Sequence, residues 1–431
     1  MAELKPPRHL RRNFLLFLAD FLFFGTAFSM VGATTVVPDF VSRLTTSDVV
    51  IGLSSSLYTF SWLVPQLLFA QVVNRRTRRK PFMGRTVIPF RLSMGVMAAI
   101  IFFSGPENHT GLLITFLAFY YFFALGDGLV TVVWADMLGS CIPERWRGPL
   151  FGLGQILVAF TALGTRELVR LILGSGGPAF PQNYGILFGI ATVGFVLGGI
   201  ALASTVEEEQ SIPIQPGPPM RQYLAYLGKV LRHDGDFRRL MLTRILFDLT
   251  TMAVPFYIVF GTMELKLQRE AVVGDSILIG TLGTTVASVL IGWLSGRSGS
   301  RAVIRLSGVA SLLHPLLALV SISAGQPALY ATFFLFGFVN ASTAPGYFDW
   351  IITHAPPDRR PIYVGLANTI SAVSHLAPFL GGFILAQTSY SVLFGVTGGI
   401  AVLGLASSLF ISEPRRRTTP LPAAVLAQPT E

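Results

Sequence analysis

Apolar residues in this chain gather into long unbroken stretches, and the polar residues collect in the gaps between them. Twelve stretches can be marked, at 14–38, 49–73, 86–104, 112–138, 149–173, 185–205, 240–262, 273–295, 303–322, 328–352, 362–387 and 391–411. A helix rises about 1.5 Å per residue, so about 20 residues cross a hydrocarbon core roughly 30 Å thick. Backbone groups facing lipid must pair within their own segment, and the stretches are too long and continuous for barrel strands. The pattern therefore predicts an all-α membrane protein with twelve transmembrane helices.

Residues 206–239 form the one long polar segment, with an acidic run at Glu207, Glu208 and Glu209, four prolines and a basic amphipathic end. It divides the spans six and six. The expected organisation is an arm at 1–13, a six-helix bundle at 14–205, the central loop at 206–239, a second bundle at 240–411 and a tail at 412–431. The halves echo each other: a shift of 213 positions lays Asp127 on Asn340, Asp136 on Asp349, Pro143 on Pro356, Arg147 on Arg360 and Gly152 on Gly365. A shift of 228 lays Asp20 on Asp248 and Gly52 on Gly280. These types fall on the same span or loop of each half, so two pseudo-symmetric bundles are expected with a site between them.

Composition strengthens this picture, since the 431 residues are 52% hydrophobic and 13% charged, against roughly 25% charged in soluble chains. Of the 32 Lys and Arg residues, 25 fall on, or at the edge of, the two termini and the five connections that even numbering places with them. By the positive-inside rule both termini are cytoplasmic, in the plasma or inner membrane. A net charge of +10 spread over seven segments of one membrane face is a topological address with some attraction for anionic lipid; nucleic-acid binding is not expected. The first stretch is too long for a signal-peptide core, so it is expected to stay in the protein.

The lone Cys141 excludes intrachain disulfides, and the six scattered histidines show no metal-ligand spacing. No metal, no cofactor and no enzyme chemistry is expected.

After the second span the chain reads Ala70-Gln-Val-Val-Asn74-Arg75-Arg-Thr77-Arg-Arg79-Lys80, and after the eighth it reads Gly292-Trp-Leu-Ser-Gly296-Arg297-Ser-Gly299-Ser-Arg301. Both resemble the signature loop of the major facilitator superfamily, Gly-x-x-x-Asp-Arg-x-Gly-Arg-Arg. The resemblance covers about 14–411. The loop's acidic residue is replaced by Asn74 and Gly296, and the arginine usual in the fourth helix of proton-coupled exporters falls near Phe122. The resemblance implies a central cavity lined by helices 1, 4, 7 and 10.

Those helices carry Asp20, Asp127, Arg244 with Asp248, and Asn340. Charged groups at the membrane centre cost about 2.5–3.5 kcal/mol on insertion scales, so each is a functional candidate by default. Asp20 lies about 12 Å past Arg12 along its helix, Asp248 about 13 Å past Arg239, and Asp127 about 19 Å from the cytoplasmic end of its own. All three sit at mid-membrane depth, where low dielectric penalises the charged carboxylate and suits it to carry a proton. Thr131 and Trp134 share the face of Asp127, as Ala344 and Tyr347 share that of Asn340. Proton coupling is thus assigned to Asp20, Asp127 and Asp248, and the substrate cavity to Thr131, Trp134, Arg244, Asn340 and Tyr347. Arg244 and Asp248, spaced i, i+4, are also placed to neutralise each other.

Asp136 and Asp349 each follow the cavity residue of their helix by nine positions, about half a turn around the axis, and point away from the cavity near the cytoplasmic end. With Arg147, Arg360, Arg75, Arg297 and Asn74 they resemble the family's cytoplasmic salt-bridge sets and are assigned to a gate. Surface ion pairs are the competing explanation. Arg166 and Arg170 are expected to snorkel to headgroups. His314 and His375, beside Pro315 and Pro378, are expected to be packing groups at kinks.

The expected function is secondary active transport of a small molecule by alternating access, proton-coupled, with a tilt toward efflux of amphiphilic or cationic solutes. An uncoupled facilitator or a sensor on the same scaffold is the alternative. The expected partners are the solute, protons and lipid, and the expected state is a monomer.

Overall fold

The computed structural model describes residues 9–73, 80–206, 228, 230–356 and 360–414. In the first half the helices are α1 (Leu10–Ser29), α2 (Val36–Ser42), α3 (Asp48–Val73), α4 (Lys80–Phe103), α5 (His109–Cys141), α6 (Glu144–Leu173) and α7 (Gln182–Ala203). The second half holds α8 (Gly235–Leu249), α9 (Val254–Met263), α10 (Arg269–Ala324), α11 (Gln326–Ser342), α12 (Asp349–His354), α13 (Arg360–Ser374), α14 (Ala377–Gln387) and α15 (Tyr390–Ser408). Seven of the described helical stretches are long and apolar enough to cross a membrane as they stand. The eighth and ninth spans share α10, turning at Gly299, whose φ of 74° and ψ of 177° are open to glycine and strained for other residues.

Hydrophobicity marked the spans, but not where their axes break. The first stretch, expected as one span over 14–38, stops at Ser29. Gly32-Ala-Thr-Thr35 is a run of mostly weak helix formers, and Val36–Ser42 then folds as the separate α2, buried from Val36 to Val41. The seventh span begins at Gly235, earlier than expected, because the Asp234 side chain caps it by accepting from the Phe237 N–H at 3.0 Å. It loosens into a 3-10 turn at Thr250–Ala253 ahead of Pro255. The tenth span passes through a π turn at Thr343–Phe348, and the eleventh breaks at His375 and Leu376 before Pro378.

Among the described residues, the buried apolar cluster that spans both halves lies toward one end. A single large cluster of buried apolar side chains draws Val36, Val37, Phe40 and Ile51 together with Phe256, Val272 and Ile277. These residues lie where α3 and α10 begin, on the face opposite the basic loops, which we call the sealed face. Toward the basic face each half keeps its own cluster: Val133, Met137 and Leu150 in the first, Phe237, Trp350 and Tyr363 in the second. Lipid is as apolar as these side chains, so close packing and polar pairs hold such contacts rather than the hydrophobic effect.

Candidate functional site

Between the halves lies a cavity of about 610 Å³, within the range of roughly 300–1,000 Å³ usual for small-molecule sites. Most of its wall belongs to the first half, through α1, α3, α4 and α5, and includes the rings of Phe21, Phe24, Phe28, Tyr58, Trp62 and Trp134. The second half contributes Thr251, Val254, Pro255, Phe336, Asn340, His375 and Pro378. The breaks in the seventh and eleventh spans are therefore cavity wall.

The polar groups of the first wall are tied to one another. Asp20 pairs with Arg91 of α4 at 3.3 Å, with side chains 8% and 4% exposed. It also accepts from the Trp134 indole N–H at 3.2 Å. Arg91 donates to the Phe195 carbonyl at 2.7 Å and lies over the Phe24 ring at 5.1 Å. Asp127 accepts from the Tyr58 hydroxyl at 3.0 Å. One turn on, Thr131 accepts from the Trp62 indole at 2.9 Å while donating to the Asp127 carbonyl at 2.8 Å. Among the described residues, Asp127 has no cation within ion-pair distance, unlike Asp20.

The second wall is looser. Arg244 and Asp248 are 3.8 Å apart, as are Asp248 and the His375 Nδ1. The Arg244 guanidinium sits 5.3 Å from the centre of the Tyr347 ring. Asn340 and His375 reach the cavity, whereas Arg244, Asp248 and Tyr347 stand behind that wall.

The sealed face closes over this cavity with reciprocal ion pairs. Asp39 of α2 takes the Tyr184 hydroxyl from its own half and the Arg269 guanidinium from the other. Asp275 of α10 takes the Tyr330 hydroxyl from its own half at 2.9 Å, and Arg166 from the other. Arg166 thus bridges the halves, and its expected snorkelling is corrected: a carboxylate on the facing helix is a better partner than a headgroup. The Phe379 N–H donates to Ser56 Oγ at 3.1 Å, and a Cβ built on Gly52 would lie 2.1 Å from the Pro378 carbonyl oxygen. Only glycine lets α3 and α14 meet this closely.

Two helical halves around a largely aromatic cavity with a few polar groups have clear relatives. The sequence profile of the Major Facilitator Superfamily matches residues 168–374 and 240–430. The chain belongs to the major facilitator superfamily. It is accordingly a multi-pass membrane transporter of the alternating-access kind rather than an enzyme. Solved structures of similar fold include a D-xylose-proton symporter, 15% identical, with a TM-score of 0.71 over 95% of this chain and 100% of that one. A POT family transporter in complex with 5-aminolevulinic acid is 13% identical, with a TM-score of 0.69 over 92% and 95%. The nucleoside transporter NupG is 12% identical, with a TM-score of 0.63 over 94% and 99%. No curated protein sequence matches this one.

At the basic face of this superfamily member the described gate residues make contacts within their own half. Asn74, Arg75 and the Asp136 side chain lie outside the described residues. Arg147 folds back to donate to the Ile142 carbonyl at 3.0 Å and the Gly139 carbonyl at 2.8 Å. Arg360, its repeat equivalent, donates to the Ile352 carbonyl at 3.0 Å. Each satisfies the carbonyls that end the span before it. Arg297 lies over the Trp293 ring at 5.8 Å, and Asp349 is exposed. No ion pair joins the halves here among the described residues.

Reading the sequence missed several of these groups. Arg91 was visible as the sole cation inside the 86–104 stretch, yet membership implied other helices for the cavity. Asp39, Arg269 and Asp275 looked like loop or end charges. Tyr58 and Trp62 carry no signal that separates a cavity ring from a lipid-facing one. Below the second wall, Asp234 is buried, which by itself opposes ionisation, but bonds from His354 and Tyr363 at 2.9 Å each and from the Phe237 N–H hold its carboxyl down at about 2.

Proposed function

We propose that this protein is a proton-coupled secondary transporter moving an amphiphilic, cationic small molecule, with export as its direction. The observation that carries the reading is Asp127. Among the described residues it is the cavity carboxylate bonded to a hydroxyl with no cation within ion-pair distance, whereas Asp20 has Arg91 and Asp248 has Arg244. A buried carboxylate without a counter-ion is unstable as an anion, so it favours either a proton or a positively charged solute. The two compete for one group, which is the simplest exchange of one for the other. The aromatic wall suits the apolar body of such a solute.

In this proposal Asp127 exchanges the proton, and the Asp20–Arg91 pair responds to its charge. The rocking units are 14–205 and 240–411, working as a monomer in the plasma or inner membrane with the basic face cytoplasmic. The present state is then inward-facing. In the opposite state the gate residues Asn74, Arg75, Asp136, Arg147, Arg297, Asp349 and Arg360 close on one another while the sealed-face pairs part. Two alternative packings of this kind are what a switching element requires.

The test is a proteoliposome assay with an imposed pH gradient, following a lipophilic amine and the internal pH together. The wild type is expected to move amine and protons in opposite directions, and Asp127→Asn to abolish the gradient dependence at normal expression. Amine flux through the wild type that ignores the gradient would refute coupling and leave an uncoupled facilitator.

A further inference from the structure

Among the described residues, three polar atoms at and behind the second wall lack any hydrogen-bond partner: Asp248 Oδ2, His375 Nδ1 and the Tyr347 hydroxyl. Buried polar groups in native proteins are nearly always paired, and an orphan costs the desolvation of that group. Their arrangement around His375 points to a use. The ring belongs to the cavity wall and its side chain is 27% exposed, yet Nδ1 is sealed from solvent and faces the Asp248 carboxylate at 3.8 Å. The exposed part of the imidazole is therefore the opposite edge, which carries Nε2. Behind it, Asp248 is itself held by Arg244 at 3.8 Å. His375 sits at the break in the eleventh span, where the chain leaves α13 for α14.

We propose that His375 is a specificity-determining residue that touches the solute, and that Asp248 is its positioning residue. With the ring proton on Nδ1 directed at the carboxylate, Nε2 is left as an acceptor facing the cavity. It takes a hydrogen bond from an O–H or N–H group of the solute. A carboxylate behind an imidazole sets both its tautomer and its orientation, as for histidines in metal sites. This inference rests on the proposed transport of cationic amphiphiles and adds a second point of contact: Asp127 meets the cationic end from the first half, and His375 meets a hydroxyl or amide from the second. A solute spanning both walls would also tie the two halves together.

The test uses the full chain in proteoliposomes with two probes, propranolol and its deoxy analogue, which differ by one hydroxyl. The wild type is expected to favour propranolol in kcat/KM by about fivefold to tenfold, the worth of one neutral hydrogen bond. His375→Phe keeps the ring and is expected to bring the ratio to near one. His375→Gln, which restores a polar group at that place, is expected to recover most of the preference. Asp248→Asn is expected to lower it about threefold through KM. A merely structural histidine would change both probes alike and leave the ratio alone; a wild-type ratio kept by His375→Phe, or by His375→Met should Phe not fold, overturns the assignment. A wild type that moves both probes equally overturns it too, while the proposed function stands. A wild type that moves neither probe overturns the cationic-amphiphile reading and this inference with it.

Discussion

The two halves share an ancestry of pattern but differ in how they present polar groups to the cavity. In the first, long unbroken helices α3 and α5 lock hydroxyl, indole and carboxylate into hydrogen bonds, and the largely buried Asp20–Arg91 pair lines the same cavity. In the second, the spans are interrupted at Thr250–Ala253, at Thr343–Phe348 and at His375, and the charged groups stand 3.8 Å apart. Interrupted helices leave backbone and side chains free to re-pair, at the expense of local stability. The contrast is one of direct hydrogen bonds in the first wall against longer charge separations in the second. A repeat that kept both walls equally tight would hold a solute well and release it slowly.

The most direct way to break this comparison is to remove the equivalent charge from each half. Asp127→Asn is expected to cut gradient-driven flux about a hundredfold, worth about 3 kcal/mol, and Asp248→Asn about tenfold at most. Equal losses would erase the distinction. Stability measurements sharpen it next. Arg91→Met strands Asp20 in a buried site, and thermal unfolding in detergent should register a loss of about 3–5 kcal/mol, partly recovered when Asp20→Asn is added. Arg244→Met, in a longer and more exposed pair, should register about 1 kcal/mol or less.

A smaller effect separates the halves by pH. The carboxyl of Asp234 is held at about 2, below the ordinary 3.8. A carboxyl lowered on folding stabilises the folded state above the ordinary value, and that contribution disappears as pH falls from about 4 to 2. The expected loss in the second half is about 1–2 kcal/mol after allowing for solvent screening, absent in Asp234→Asn and read from acid titration of melting curves. Smallest is the shift at the sealed face. Arg269→Gln removes one pair across the halves, and the population open at that face should rise several-fold, measured by labelling an introduced cysteine there.

Spans, repeat and family were legible because a bilayer imposes one rule on every residue it contacts: the surface must be apolar and the backbone self-paired. That rule acts locally, so stretches such as 112–138 and 391–411 announced α5 and α15, and the repeat placed Asp127 opposite Asn340. Asp20, Asp127, Thr131, Trp134 and Asn340 were found at the cavity wall because a polar residue in such a stretch has few other uses. What the chain alone left open was pairing. Arg91 meets Asp20, Arg166 meets Asp275, and Asp39 meets Arg269 across 71, 109 and 230 positions. A charge in a sequence has a sign and a depth but no partner; the partner is chosen by which helix faces pack together. Where a helix breaks around the cavity was likewise a tertiary decision, since the same prolines are tolerated within α4 at Pro89 and α6 at Pro149 yet accompany breaks at Pro255 and Pro378, where neighbouring backbone and cavity supply the space.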